Sequence, residues 1–95
     1  MDVFAMVNIV AKDGKSTEAL EVIRRSQEQC LSLDNCSGFD IYQNQKDIHR
    51  FHFVERWASV DEHKEFLSGL MSDPNFIASL DAFTSAPNID YFNSK

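Results

Sequence analysis

His63 falls within a run of apolar residues at helical spacing: Val60, Phe66 or Leu67, Leu70 and Met71. Imidazole is the side chain that ordinarily changes charge near neutrality, so His63 is the leading candidate for acid–base chemistry. The same position also reads as a buried neutral histidine holding one hydrogen bond. Glu55 lies between Phe53 and Trp57 on one face of a strand-like stretch, where an isolated charge is expensive to bury. A carboxylate there is either a general base or half of an ion pair, with Arg50, a lysine, or Arg56 of a second copy. Asn8 interrupts an otherwise apolar strand, and a buried amide needs partners. It donates to a substrate carbonyl or oxyanion, or bridges to a neighbouring strand. Trp57 and Tyr42 offer flat apolar walls with a polar handle, suited to an aromatic ligand or simply to a core. Phe53 and Phe66 extend that wall. His49 and His52, with Asp47 nearby, resemble metal ligands in type only. They occupy opposite faces of one strand and cannot readily share an ion, so no metal is expected. There is no Ser-His-Asp arrangement, and three glycines in the whole chain give no phosphate-cradling loop.

The elements that carry these residues follow from periodicity. Val3 to Ala11 is β-rich and apolar on both parities, with Val3, Val7 and Ile9 on one side and Phe4, Met6 and Val10 on the other. That is the pattern of a strand covered on two faces. Lys12-Asp13-Gly14-Lys15 is a turn, after which Ser16 or Thr17 is expected to cap a helix carrying Leu20, Ile23, Gln27, Cys30 and Leu31 inward. This helix should stop near Leu33-Asp34-Asn35. Cys36 to Asn44 and His49 to Trp57 read as two strands joined by a polar hairpin connection. The second of them carries Phe51, Phe53, Glu55 and Trp57 on one face and His52, Val54 and Arg56 on the other. Ser59 or Asp61 starts a second helix, Pro74 sits at a new first turn, and Phe76, Ile77, Leu80 and Phe83 continue an apolar helical face. Ile89 to Phe92 forms a short last strand.

The order β-α-β-β-α-β is the split, ferredoxin-like α+β arrangement: an antiparallel sheet with both helices on one face. Burying a large apolar side chain is worth about 1.5–3 kcal/mol, so the face without helices needs a cover. A second copy of the sheet is the simplest one, and a homodimer is expected.

Ninety-five residues fit one domain, residues 1–95, and such a domain has only a modest core of its own. The formal charge of −6, with no basic cluster beyond Arg24-Arg25, argues against nucleic acid and against anionic membrane. Cys30 and Cys36 make no disulfide framework and read as small buried hydrophobes. The apolar opening is too short to span a membrane and follows Asp2 without a basic region, so a cytoplasmic protein is expected.

Two segments carry a family resemblance. Asn35-Cys36-Ser37-Gly38-Phe39-Asp40-Ile41-Tyr42 resembles the Gly-Cys-x-x-aromatic-x-aliphatic strand opening of antibiotic-biosynthesis-monooxygenase-like proteins. Phe53-Val54-Glu55-Arg56-Trp57-Ala58-Ser59 resembles their third-strand motif, an apolar run followed by Glu-x-Trp and a polar helix cap. With Val7-x-Ile9-x-Ala11-Lys12 and the Gly-Lys turn, the likeness covers most of the chain. It implies a dimeric α+β barrel, with pockets between sheet and helices for aromatic or quinol-like compounds or small sugar-derived signals. It also implies a cofactor-independent monooxygenase, with a non-catalytic metabolite-binding or stress-linked dimer, or an isomerase acting on a small hydroxyketone, as alternatives. Asn35 stands where the family usually has Gly, a tolerable exchange because both accept a positive φ. Phe66 stands where many relatives have His, and His63 lies one turn earlier. Haem-degrading members rely on a later His that this chain lacks, so no cofactor is expected. Within that reading, the residue types and placements assign catalysis to His63, Glu55 and Asn8, and substrate contact to Trp57, Tyr42, Phe66 and Phe53.

Overall fold

The computed structural model describes residues 2–95. Strand β1 (Val3–Val10) leads into helix α1 (Ser16–Leu31), then β2 (Cys36–Gln43) and β3 (Arg50–Trp57). Helices α2 (Val60–Met71) and α3 (Pro74–Ser79) follow, then a 3₁₀ turn (Leu80–Ala82) and β4 (Asn88–Asn93). The four strands form one antiparallel sheet in the order β2-β3-β1-β4, the α+β ferredoxin-like topology. The apolar helical stretch from Val60 onward is broken at Ser72-Asp73 into α2 and α3, because Pro74 lacks the donor needed to continue α2. Asp73 caps the new helix by accepting from the Asn75 amide.

Helix α1 starts without a side-chain cap: Lys15 holds the cap position, and neither Ser16 nor Thr17 serves there. Gly14, at φ 76°, supplies the left-handed residue that turns the chain into this helix. The inward stripe of α1 is Ala19, Val22, Ile23 and Cys30, whereas Leu31, its last residue, is 49% exposed. Ser59 caps α2 as expected, accepting from the Glu62 amide.

The sheet has two unlike faces, and alternation along the strands assigns every residue to one of them. Val3, Ala5, Val7 and Ile9 of β1 lie opposite Trp57, Glu55, Phe53 and Phe51 of β3, and this face packs under the helices. Phe4, Met6, Asn8 and Val10 point the other way, opposite Arg56, Val54, His52 and Arg50. A β-bulge at Ser37 resets the parity of β2, so that Cys36 and Phe39 are both buried on the helix side. The face away from the helices has no covering element among the described residues and leaves Phe92 at 47% and Val10 at 38% exposure.

Candidate active site

Between the helix-side face of the sheet and helices α1, α2 and α3 lies a cavity of about 350 Å³. Its walls are almost wholly apolar, built from Val7, Phe39, Phe53, Phe66, Leu70 and Phe83 among others. Phe39 and Phe53 stack with ring centroids 5.1 Å apart, which fixes one flat wall. Glu55 is the one charged side chain lining the cavity, and it is only 3% exposed.

Three donor-bearing groups converge on one oxygen of that carboxylate. The Trp57 indole Nε1–H donates to Glu55 Oε1 at 3.0 Å, and the Cys30 thiol donates to it at 3.5 Å. His63 Nε2 stands 3.6 Å from the same oxygen, beyond hydrogen-bond length but close enough for a favourable charge contact. No lysine or arginine pairs with Glu55 among the described residues, so neither Arg50 nor a lysine of the same chain serves it. Arg56 instead points to the open face, pairing with Asp2 at 2.8 Å and lying over the Phe4 ring. With Oε1 engaged, Oε2 accepts no hydrogen bond from the described residues, and Glu55 lines the cavity.

His63 is 0% exposed and is anchored from two sides. Its ring packs against Trp57 at 5.5 Å, and its Nδ1 lies 2.6 Å from the Tyr91 hydroxyl. Trp57, also 0% exposed, contacts Phe66 at 5.3 Å and so forms the layer behind the cavity wall rather than the wall itself. Burial first, and the Glu55 charge second, hold the Cys30 thiol far above its ordinary range, so it remains a protonated donor. Burial and then Glu55 also push the Tyr91 hydroxyl upward.

Of the sequence candidates, the fold brings together Glu55, His63, Trp57, Phe53 and Phe66. It separates Asn8 and Tyr42 from them by the thickness of the sheet. Both belong to the outward parity: Asn8 pairs across from His52, and Tyr42 also lies opposite His52 on the other side. Asn8 Oδ1 accepts from His52 Nδ1 at 2.7 Å, and Tyr42 is 56% exposed beside a separate hollow of about 200 Å³. Sequence reasoning missed Tyr91 and Cys30 as members of the polar cluster. Tyr91 had a legible signal, since it shares the parity of Ile89 on a strand with one packed face. Cys30 was placed inward, but nothing in its spacing aimed it at a carboxylate.

The chain belongs to the antibiotic biosynthesis monooxygenase family, whose model matches residues 2–73. No curated protein matches it. Among solved structures, it is similar to a protein from Bordetella bronchiseptica assigned to antibiotic biosynthesis monooxygenases, with 14% identity and a TM-score of 0.78 over 99% of this chain and 97% of that one. A Pseudomonas aeruginosa protein is similar at 18% identity and a TM-score of 0.76, over 99% and 94% of the two chains. SnoaB of Streptomyces nogalater, a cofactor-independent oxygenase, is similar at 12% identity and a TM-score of 0.74, over 99% and 93%. At such identities the likeness defines the fold.

Proposed function

We propose that the protein is a cofactor-independent monooxygenase acting on a quinol- or polyphenol-like molecule held in the apolar cavity. The observation that carries this reading is a single carboxylate, Glu55, facing an apolar cavity with one oxygen held by the protein and the other left to the ligand. Family membership and the oxygenase activity of SnoaB support the same reaction class. A phenolic hydroxyl placed against Glu55 Oε2 gives up its proton to the carboxylate, and the resulting electron-rich ring reacts with oxygen. One oxygen atom enters the reacting ring carbon. The hydrogen that this carbon loses and the phenolic proton taken up by Glu55 leave with the other oxygen as water, so the phenol becomes a quinone and the substrate itself supplies the reducing equivalents. Phe53 and Phe66 orient the ring, and Trp57 and His63 support Glu55 from behind.

The cavity suits this substrate class by charge as well as by size. An apolar cavity of about 150 Å³ holds one benzene, so about 350 Å³ accommodates two or three fused rings. No cationic side chain lines it, which disfavours phosphorylated ligands. Oxygen uptake with a panel of quinols and anthrones tests the proposal, with Glu55→Gln and His63→Ala measured beside the wild type. Turnover indifferent to Glu55→Gln would remove the mechanism. Saturable quenching of Trp57 fluorescence without turnover would establish a metabolite binder instead.

The open face of the sheet supports a homodimer. Phe4, Met6, Val54 and Phe92 lie there with no secondary-structure element of the described residues packed over them, and a second sheet packed face to face would bury them. Asn8 and Tyr42 then act at this junction. A monomer by sedimentation at micromolar concentration would contradict the dimer.

A further inference from the structure

The register of the sheet puts Tyr91 of β4, Ala5 of β1, Glu55 of β3 and Phe39 of β2 in one row on the face beneath the helices. Tyr91 and Glu55 are therefore two strand spacings apart, about 10 Å at the backbone. Between them stands Ala5, 0% exposed, whose single methyl leaves a gap in the row. His63 enters this gap from α2, with Nδ1 toward Tyr91 and Nε2 toward Glu55.

The geometry points to Tyr91 as a positioning residue that fixes His63 in its Nε2–H tautomer and so leaves Glu55 as the base facing the cavity. This assignment rests on the reading of Glu55 as the base. The Tyr91 hydroxyl and Nδ1 are 2.6 Å apart, which requires one donor and one acceptor. Burial and the Glu55 charge both keep Tyr91 protonated, so it has a proton to donate. At the other end, Nε2 is fully buried and has no hydrogen-bond partner among the described residues, and the carboxylate oxygen of Glu55 stands 3.6 Å from it. A proton on Nε2 puts an N–H before a carboxylate. A lone pair there would set two electron-rich atoms against each other in a site that water does not reach. The other groups at this oxygen follow the same arrangement: Cys30 and Trp57 also present hydrogens to Oε1. In this tautomer neither imidazole nitrogen has a free lone pair. His63 then steadies Glu55 and does not itself remove a substrate proton.

Long-range proton–nitrogen correlation spectra of the histidine-labelled, ligand-free protein read the tautomer directly. The chain has three histidines, and loss of one signal set in His63→Gln assigns the third. The expected wild-type pattern is a pyridine-type Nδ1 and a pyrrole-type Nε2. In Tyr91→Phe, loss of one neutral hydrogen bond should shift the tautomer ratio by about 2–10-fold, moving the Nδ1 signal toward its unbonded position. Turnover should fall with the ratio. A pyrrole-type Nδ1 in the wild type, or spectra unchanged in Tyr91→Phe, would overturn the assignment. The wild-type spectrum decides even where the variant folds poorly. Because substrate is absent, failure of every quinol to turn over would count against Glu55 as the base and leave the tautomer result standing.

Discussion

Replacing Glu55 by Gln should separate stability from chemistry. The carboxylate is 3% exposed and accepts from the Trp57 indole at 3.0 Å. A hydrogen bond to a charged group contributes about 1.5–3 kcal/mol and one between neutral groups about 0.5–1.5, so the amide oxygen retains the bond with a loss near 1 kcal/mol. Against this, the substitution removes a charge that no lysine or arginine among the described residues balances, whose burial costs several kcal/mol. The net expectation is unfolding stability within about 1 kcal/mol of the wild type, or above it. Glu55→Ala behaves differently. It leaves the Trp57 N–H without its acceptor, costing about 1–3 kcal/mol before the vacated volume is counted. Urea denaturation followed by Trp57 fluorescence measures both variants. Oxygen uptake in Glu55→Gln should drop by about 10²–10⁴-fold, the usual contribution of a positioned base. A Gln variant destabilised by more than about 2 kcal/mol, with uptake retained, would show that the carboxylate holds the fold rather than doing chemistry.

Further expectations follow from the same geometry. Ala5→Leu fills the gap that His63 occupies and should cost about 1–3 kcal/mol by overpacking; the His63 ring is then displaced, and its Nδ1 signal should move to the position of a nitrogen not bonded to Tyr91. Cys30 and Cys36 are both buried and both held above the ordinary thiol range, chiefly by burial, so neither should react with a disulfide reagent at pH 8 until urea exposes them. Rapid labelling of the native protein would contradict that burial. For Tyr91 the folded-state ionisation is raised by burial and by Glu55, so its contribution to stability is present below the unfolded tyrosine value and is lost as pH rises through the folded one. Thermal midpoints should thus fall on the alkaline side, and Tyr91→Phe should flatten that limb. Trp57 is the chain's only tryptophan and is 0% exposed, so native emission should be blue-shifted and should move to the red on unfolding.

Much of the fold was legible because two periods dominate the chain. Strict alternation in Phe51, Phe53, Glu55 and Trp57 and the helical spacing of Val60, His63 and Leu70 are each set by burial, which sequence reports directly. The helix-side parity of β3 was not legible, since Val54 and Phe53 are equally acceptable in a core. It is decided by β1, where Ala5 and Val7 pair with Glu55 and Phe53. Asn8 and Tyr42 were grouped with the site by residue type, and only register shows that they occupy the opposite face. The Cys30–Glu55 and His63–Tyr91 contacts span 25 and 28 residues, and no local pattern encodes contacts of that kind. The uncapped start of α1 shows the same limit: Ser16 and Thr17 have the right chemistry, but the turn through Gly14 delivers Lys15 to the cap.

The bulge at Ser37 gives β2 an unusual tolerance to changes in length. Cys36 pairs with Trp57 and Gly38 with Arg56, so Ser37 is the residue that the ladder skips. Excising Ser37 would close an ordinary ladder, with Phe39 still opposite Glu55 and each later side chain on its present side. Excising Asp40 would instead transpose the strand beyond it, sending Ile41 outward and Tyr42 into the cavity. The edge strand thus contains one position at which the chain can shorten by a residue while the cavity keeps its lining, and that position lies three residues upstream of one at which it cannot.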